Sequence, residues 1–122
     1  MRLSQGEAKK FLSKRTTKTP KQSKYRNVKT EVDGICFDSK AEARRYTELK
    51  LLADADEIMG FGRQPSFVLP GGIRYMPDFI VCGIDGAVWI EDVKGVETQA
   101  FKLKKRLWET HYKWLELRII KY

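Results

Sequence analysis

The sequence predicts an α/β domain in the order α-β-β-β-α-β, a mixed sheet flanked by helices, preceded by a β-hairpin and a basic, flexible N-terminal arm. Three observations predict it. Val88 to Val93 reads VWIEDV, a run of β-branched and apolar residues that favours a strand. Ser39-x-x-Glu42 fits a capping box at the head of a helical pattern. Asp33-Gly34 and Asp85-Gly86 each stand between apolar runs, a strong short-range hairpin signal. At 122 residues the chain is long enough for one domain whose core buries roughly two-thirds of the unfolded surface.

The elements follow in order. Residues 1–24 form an arm rich in Lys, Ser and Thr, with eight basic groups and one acid, a net of +7. The other 98 residues carry 16 basic and 15 acidic groups, so nearly all of the chain's +8 lies in the arm. A segment that polar does not bury enough surface to fold alone. It is either a solvated tail or an arm that follows a phosphate backbone through Lys9, Lys10, Lys14, Arg15, Lys18, Lys21 and Lys24, releasing counterions. The domain then spans residues 25–122. Tyr25–Val32 and Ile35–Phe37 flank the Asp33-Gly34 turn, and a helix runs from Ser39 through Leu52. Residues 54–62 are expected to be irregular. Gln64–Leu69 is a strand with Pro65 at its start, Pro70-Gly71-Gly72 a turn, and Arg74–Val81 and Val88–Val93 are strands. Gly95 breaks the chain, a second helix covers about Thr98–Tyr112, and Trp114–Ile120 is the last strand.

This order concentrates chemistry at one place. Side chains two apart on a strand share a face, so Ile90, Asp92 and Lys94 stand together while Trp89, Glu91 and Val93 face the other way. A hairpin through residues 82–86 brings Asp78 beside Asp92, near enough to share a cation. Two buried carboxylates at that range repel, and the repulsion raises a pKa unless a cation neutralises them. Glu42 has two readings. It completes the capping box, or it points with Tyr46, Leu49 and Ala53 toward the sheet and there needs a partner that a metal near Asp78 and Asp92 would supply. Lys94 follows the carboxylate directly on the same face, which favours a chemical role over snorkelling. Lys104 falls within the inner face marked by Phe101, Leu107, Trp108, His111 and Tyr112. It is either a snorkelling stem or a group reaching the scissile phosphate. Lys102, Lys105, Arg106 and Glu109 form a solvated face within reach of phosphates. Glu91 is structural or solvated.

Other chemistries lack their residues. His111 is the one histidine and is expected to be a satisfied core residue. No elbow serine and no CxxC pair are present, so hydrolase triads and zinc sites are excluded. Cys36 and Cys82 are expected to be buried reduced thiols. No Gly-rich phosphate loop occurs, no apolar run approaches the ~18 residues of a membrane span, and the basic N-terminus lacks a secretory h-region.

MPDF followed by EDVKG, with Glu42 on an upstream helix and the α-β-β-β-α-β order, resembles the PD-(D/E)xK nuclease superfamily. Residues 25–120, including VDGICFDSKAEARRYTELKLL, are also similar to a small phage and prophage family placed in that superfamily, whose nearest functional relatives are phage endonuclease-I-type junction resolvases. The resemblance implies a restriction-endonuclease-like fold and a metal-dependent DNA endonuclease. In it Asp78, Asp92 and the Val93 main-chain carbonyl would bind one or two Mg²⁺ ions (Mn²⁺ substituting), Glu42 completing the shell directly or through water. Lys94 would orient or deprotonate the attacking water. It further implies branched DNA as substrate, no small-molecule cofactor, no membrane, a homodimer that cuts two strands, and a phage- or prophage-encoded protein at work in the bacterial cytoplasm. The alternatives are a nicking or duplex-cutting subunit of a larger replication or transposition complex, and a non-catalytic basic nucleic-acid-binding module. Only the last predicts binding that ignores both Mg²⁺ and Asp92. No base-reading motif is visible, so shape rather than sequence recognition is expected.

Overall fold

A computed structural model describes residues 28–122. The arm cations Lys9, Lys10, Lys14, Arg15, Lys18, Lys21 and Lys24, and the first residues of the expected leading strand, lie outside the described residues. Strands β1 (Thr30–Val32) and β2 (Ile35–Phe37) form a hairpin whose turn places Asp33 at φ 54° and Gly34 at φ 75°. Two consecutive left-handed residues match the strand twist, which is why Asp-Gly suits this turn. Helix α1 (Lys40–Asp54) begins where the Ser39 hydroxyl accepts the Glu42 N–H at 3.1 Å, satisfying an otherwise orphaned donor.

Four strands form the main sheet in the order β3-β6-β7-β8: β3 (Ile58–Arg63), β6 (Phe79–Gly83), β7 (Val88–Val93) and β8 (Glu116–Ile120). The first three are antiparallel neighbours, and β8 joins β7 in parallel after helix α2 (Gln99–His111) has crossed over. A separate hairpin, β4 (Phe67–Leu69) with β5 (Ile73–Tyr75), leaves the sheet between β3 and β6. The domain is therefore mixed α/β with a mixed sheet, but five strands rather than the expected three lie between its two helices, and three of the five are in the main sheet. The segment expected to be irregular contains β3. Gln64–Leu69 contributes only β4, outside the sheet, and Arg74–Val81 is two strands broken at Met76-Pro77-Asp78. Pro77 explains the break, because it has no N–H for a ladder and restricts the residue before it.

The sheet separates two cores. On one face Phe79, Val81 and Val93 pack with Phe37, Ala43, Leu49 and Ile58 beneath α1. On the other, Ile90 packs with Leu69, Tyr75, Phe101, Trp108 and Leu115 beneath α2 and the β4–β5 hairpin. Trp108 is fully buried and its indole N–H donates to the Leu115 carbonyl at 2.8 Å, so a large apolar surface is buried with no orphaned donor. Two expectations fail here. His111 is exposed, edge-on to Tyr112 at the end of α2. The thiols are free but not buried, Cys36 being exposed and Cys82 half-buried, since both alternate away from the core residues beside them. Among the described residues no helix is long and apolar enough to cross a membrane.

Candidate functional site

The site is built by the β6–β7 register. Phe79 pairs with Glu91, so the next residues outward, Asp78 and Asp92, face each other at the end of the ladder. Alternation puts both on the α2 face, with Ile80 and Ile90, while Glu91 and Val93 turn toward α1.

Asp92 is 2% exposed and is held from two sides. The Tyr75 hydroxyl, delivered by β5, donates to Asp92 Oδ2. Lys94 Nζ lies 3.5 Å from Asp92 Oδ1, with its ammonium 4.7 Å from the Phe101 ring centroid. Asp78 Oδ2 accepts the Val93 N–H at 2.8 Å. Burial pushes the Asp78 carboxyl well above the usual range, and a shared hydrogen bond with Asp92 and its charge push it further, against the lowering from the Val93 N–H. Burial, then the Asp92 charge and hydrogen bond, also raise the Tyr75 hydroxyl, which therefore stays a donor. A cation beside the two acids would offset the burial and the neighbouring charge that raise Asp78.

Each carboxylate thus has one oxygen held by a hydrogen bond, Asp78 Oδ2 by the Val93 N–H and Asp92 Oδ2 by the Tyr75 hydroxyl, while Asp92 Oδ1 faces Lys94. Two hard oxygens suit Mg²⁺, which keeps several waters, so the donor set fits that ion. Glu42 does not join them as a third close ligand. Among the described residues no group of three or more His, Cys, Asp or Glu is placed to hold a metal. The reason is topological. Glu42 sits on α1, on the opposite face of the sheet from Asp92, and meets the site only past the end of β7. There it lines a 300 Å³ hollow with Ser39, Val93 and Lys94. The Ser39 half of the capping box forms, and burial followed by the charges of Asp38 and Asp92 raise the Glu42 carboxyl.

Asp78, Asp92 and Lys94 share a cavity of about 430 Å³ with Arg74, Tyr75, Met76, Thr98, Ala100, Phe101 and Lys104. Lys104 therefore reaches the site, its ammonium 6.0 Å from the Tyr75 ring centroid. Lys105 does not line the cavity and pairs with Glu97 at 3.7 Å. Glu91 is structural, as one of its two readings had it, and it is fully buried. Arg45 Nε and Nη2 each donate to it at 2.7 Å and the Trp89 indole at 2.9 Å. The residues that sequence reasoning missed are Tyr75 and Arg74. Their only signal was nearness to Met76-Pro77-Asp78, which fails to show that β5 folds back over the site.

No curated protein matches this chain. The family described as protein of unknown function (DUF1064) matches residues 22–122, a span that includes every described residue of the site, and the chain belongs to that family.

Proposed function

We propose that this protein is a metal-dependent endonuclease that hydrolyses phosphodiester bonds in branched or otherwise structured DNA, on a PD-(D/E)xK, restriction-endonuclease-like core. One observation carries the reading: two buried acids face each other at the ends of adjacent strands with a lysine 3.5 Å from one of them, in a cavity lined by further cations. Bound between Asp78 and Asp92, Mg²⁺ (or Mn²⁺) would activate water and stabilise the oxygens of an in-line displacement. Lys94 is placed to hold that water against the phosphorus and to offset charge growing on the phosphate. Tyr75 keeps Asp92 in one orientation, and Val93 does the same for Asp78 through its N–H. Glu42, from the neighbouring hollow, takes part through water. Lys104 supplies positive charge from α2, while the arm and Lys105 contact the backbone farther out. Coordinated cutting of two strands needs two copies of a chain with one site, hence a homodimer. The resemblance to phage resolvases supports a phage- or prophage-encoded protein in the bacterial cytoplasm.

The test is cleavage of labelled four-way junctions, flaps, linear duplex and single strands in Mg²⁺, with Asp92→Asn in parallel. The variant keeps the side-chain shape and an acceptor for Tyr75 but removes the charge that binds the ion. Junction cleavage by the wild type, reduced at least 100-fold in the variant, is the expected outcome. Cleavage of plain duplex alone would remove the junction preference. Equal binding by both proteins with no cleavage by either would favour the non-catalytic module.

A further inference from the structure

The cavity holds more positive charge than its carboxylates need. The cavity that holds Asp78 and Asp92 is also lined by three basic residues, Arg74, Lys94 and Lys104. Lys94 is already engaged with Asp92 and the Phe101 ring. The other two are not. Among the described residues Lys104 makes no ion pair and only lies over the face of Tyr75, and Arg74 makes neither an ion pair nor a side-chain hydrogen bond. An arginine carries five donors in a planar fork and a lysine three, so two sets of unused donors border one cavity.

Their origins differ in a useful way. Arg74 is the central residue of β5, paired with Val68 of β4, and is exposed. Lys104 comes from α2 and is half-buried. Tyr75 follows Arg74 in the chain and lies under the Lys104 ammonium, with its hydroxyl on Asp92. Alternation on β5 turns Arg74 to the opposite side of the strand from Tyr75, so Arg74 borders the cavity from its exposed side. A metal ion belongs at the acids, and an anion belongs at the two cations that border the same cavity.

We propose that Arg74 and Lys104 form a phosphate clamp, gripping a backbone phosphate adjacent to the one at Asp78 and Asp92, so that the β4–β5 hairpin is an element of nucleic-acid recognition. The clamp rests on the nuclease reading only for which phosphate it holds. Its partner is defined by charge and geometry, a phosphodiester strand irrespective of base. The Arg74 fork matches a phosphate with two parallel hydrogen bonds, and Lys104 acts as a point charge.

The test is binding of fluorescein-labelled single-stranded and duplex oligonucleotides, followed by anisotropy over a range of NaCl in EDTA, where no cleavage occurs. Wild type is compared with Arg74→Gln, Lys104→Gln and Arg74→Lys, and with Lys113→Gln, an exposed cation outside the cavity. Each Gln variant is expected to lower the slope of log K against log salt by about 0.7 for single strands or about 0.9 for duplex. The loss of affinity should be the same for every base sequence. Arg74→Lys should keep the slope but bind more weakly, which a folding defect would not do, and Lys113→Gln should leave the slope unchanged. Slopes in Arg74→Gln and Lys104→Gln equal to wild type would overturn the clamp even if Mg²⁺-dependent cleavage is present. Reduced slopes with no cleavage by the wild-type protein would keep the clamp and reject the nuclease.

Discussion

Tyr75 decides which oxygen of Asp92 is available. Its hydroxyl occupies Oδ2 of a buried carboxylate, so Oδ1 is the atom left for Lys94 or an incoming cation. Replacing it by phenylalanine keeps the ring between Trp108 and Phe101 and removes one donor. A buried acceptor left short of a partner costs about 1–3 kcal/mol, and partners of metal-binding carboxylates are worth roughly 10–100-fold in metal affinity. On the proposed nuclease reading, Tyr75→Phe is therefore expected to raise the Mg²⁺ concentration for half-maximal cleavage by about that factor, measured on the preferred substrate. A lower melting temperature with an unchanged Mg²⁺ requirement would make the hydroxyl purely structural. The residue scale also shows the limit of strand alternation. It separated Asp92 from Glu91 correctly, because the period of two decides a side chain's face. It left Glu91's burial open, because depth depends on Arg45 and Trp89 arriving from elsewhere.

Elements were legible where a local signal agreed with tertiary packing. The Asp-Gly turns, the Ser39 cap and the α2 stripe each specify their structure within a few residues. β3 was not legible, since Ile58–Arg63 contains two glycines and follows a loop whose Asp56 is left-handed. It is a strand because β6 pairs along it, a long-range cause that propensity does not carry. The hairpin β4–β5 was hidden for a related reason, as Arg74 to Val81 looks continuous until Pro77 is seen to break the ladder. Helix α1 offers an element-scale prediction. Ser39→Ala removes the acceptor for the Glu42 N–H and should cost about 1 kcal/mol, read as a lower urea midpoint at unchanged m-value. An m-value that falls with the midpoint would mean that the whole α1 face, not its first turn, had loosened.

At the scale of the molecule, the site should be visible in stability before any reaction is measured. The Asp78 and Glu42 carboxyls are both raised, so between the ordinary carboxylate range near about 4 and their raised values the folded chain binds more protons than the unfolded one. Stability then falls as pH rises through that interval and levels off above it. On the proposed nuclease reading, Mg²⁺ would compete with the same proton. Its stabilising effect is expected to be larger at pH 8 than at pH 5.5, approaching ~2.7 kcal/mol when the ion is present at 100 times its dissociation constant. Melting curves with and without Mg²⁺ at both pH values check this, and no shift at either would remove the two carboxylates as a cation site.

The parallel pairing of β8 with β7 carries a consequence for how the domain assembles. Asp92 lies on β7, whose second neighbour is the last strand in the sequence, separated from it by all of α2. Until residues 116–120 dock, β7 is an open edge with an unpaired row of backbone donors and acceptors, on a strand whose second half is fully buried in the finished domain. Such an edge recruits other strands, and non-local pairing of this kind forms late. A chain stopped after α2 would therefore not be a weaker version of the same protein. The strand that carries Asp92 would be the surface through which it aggregates.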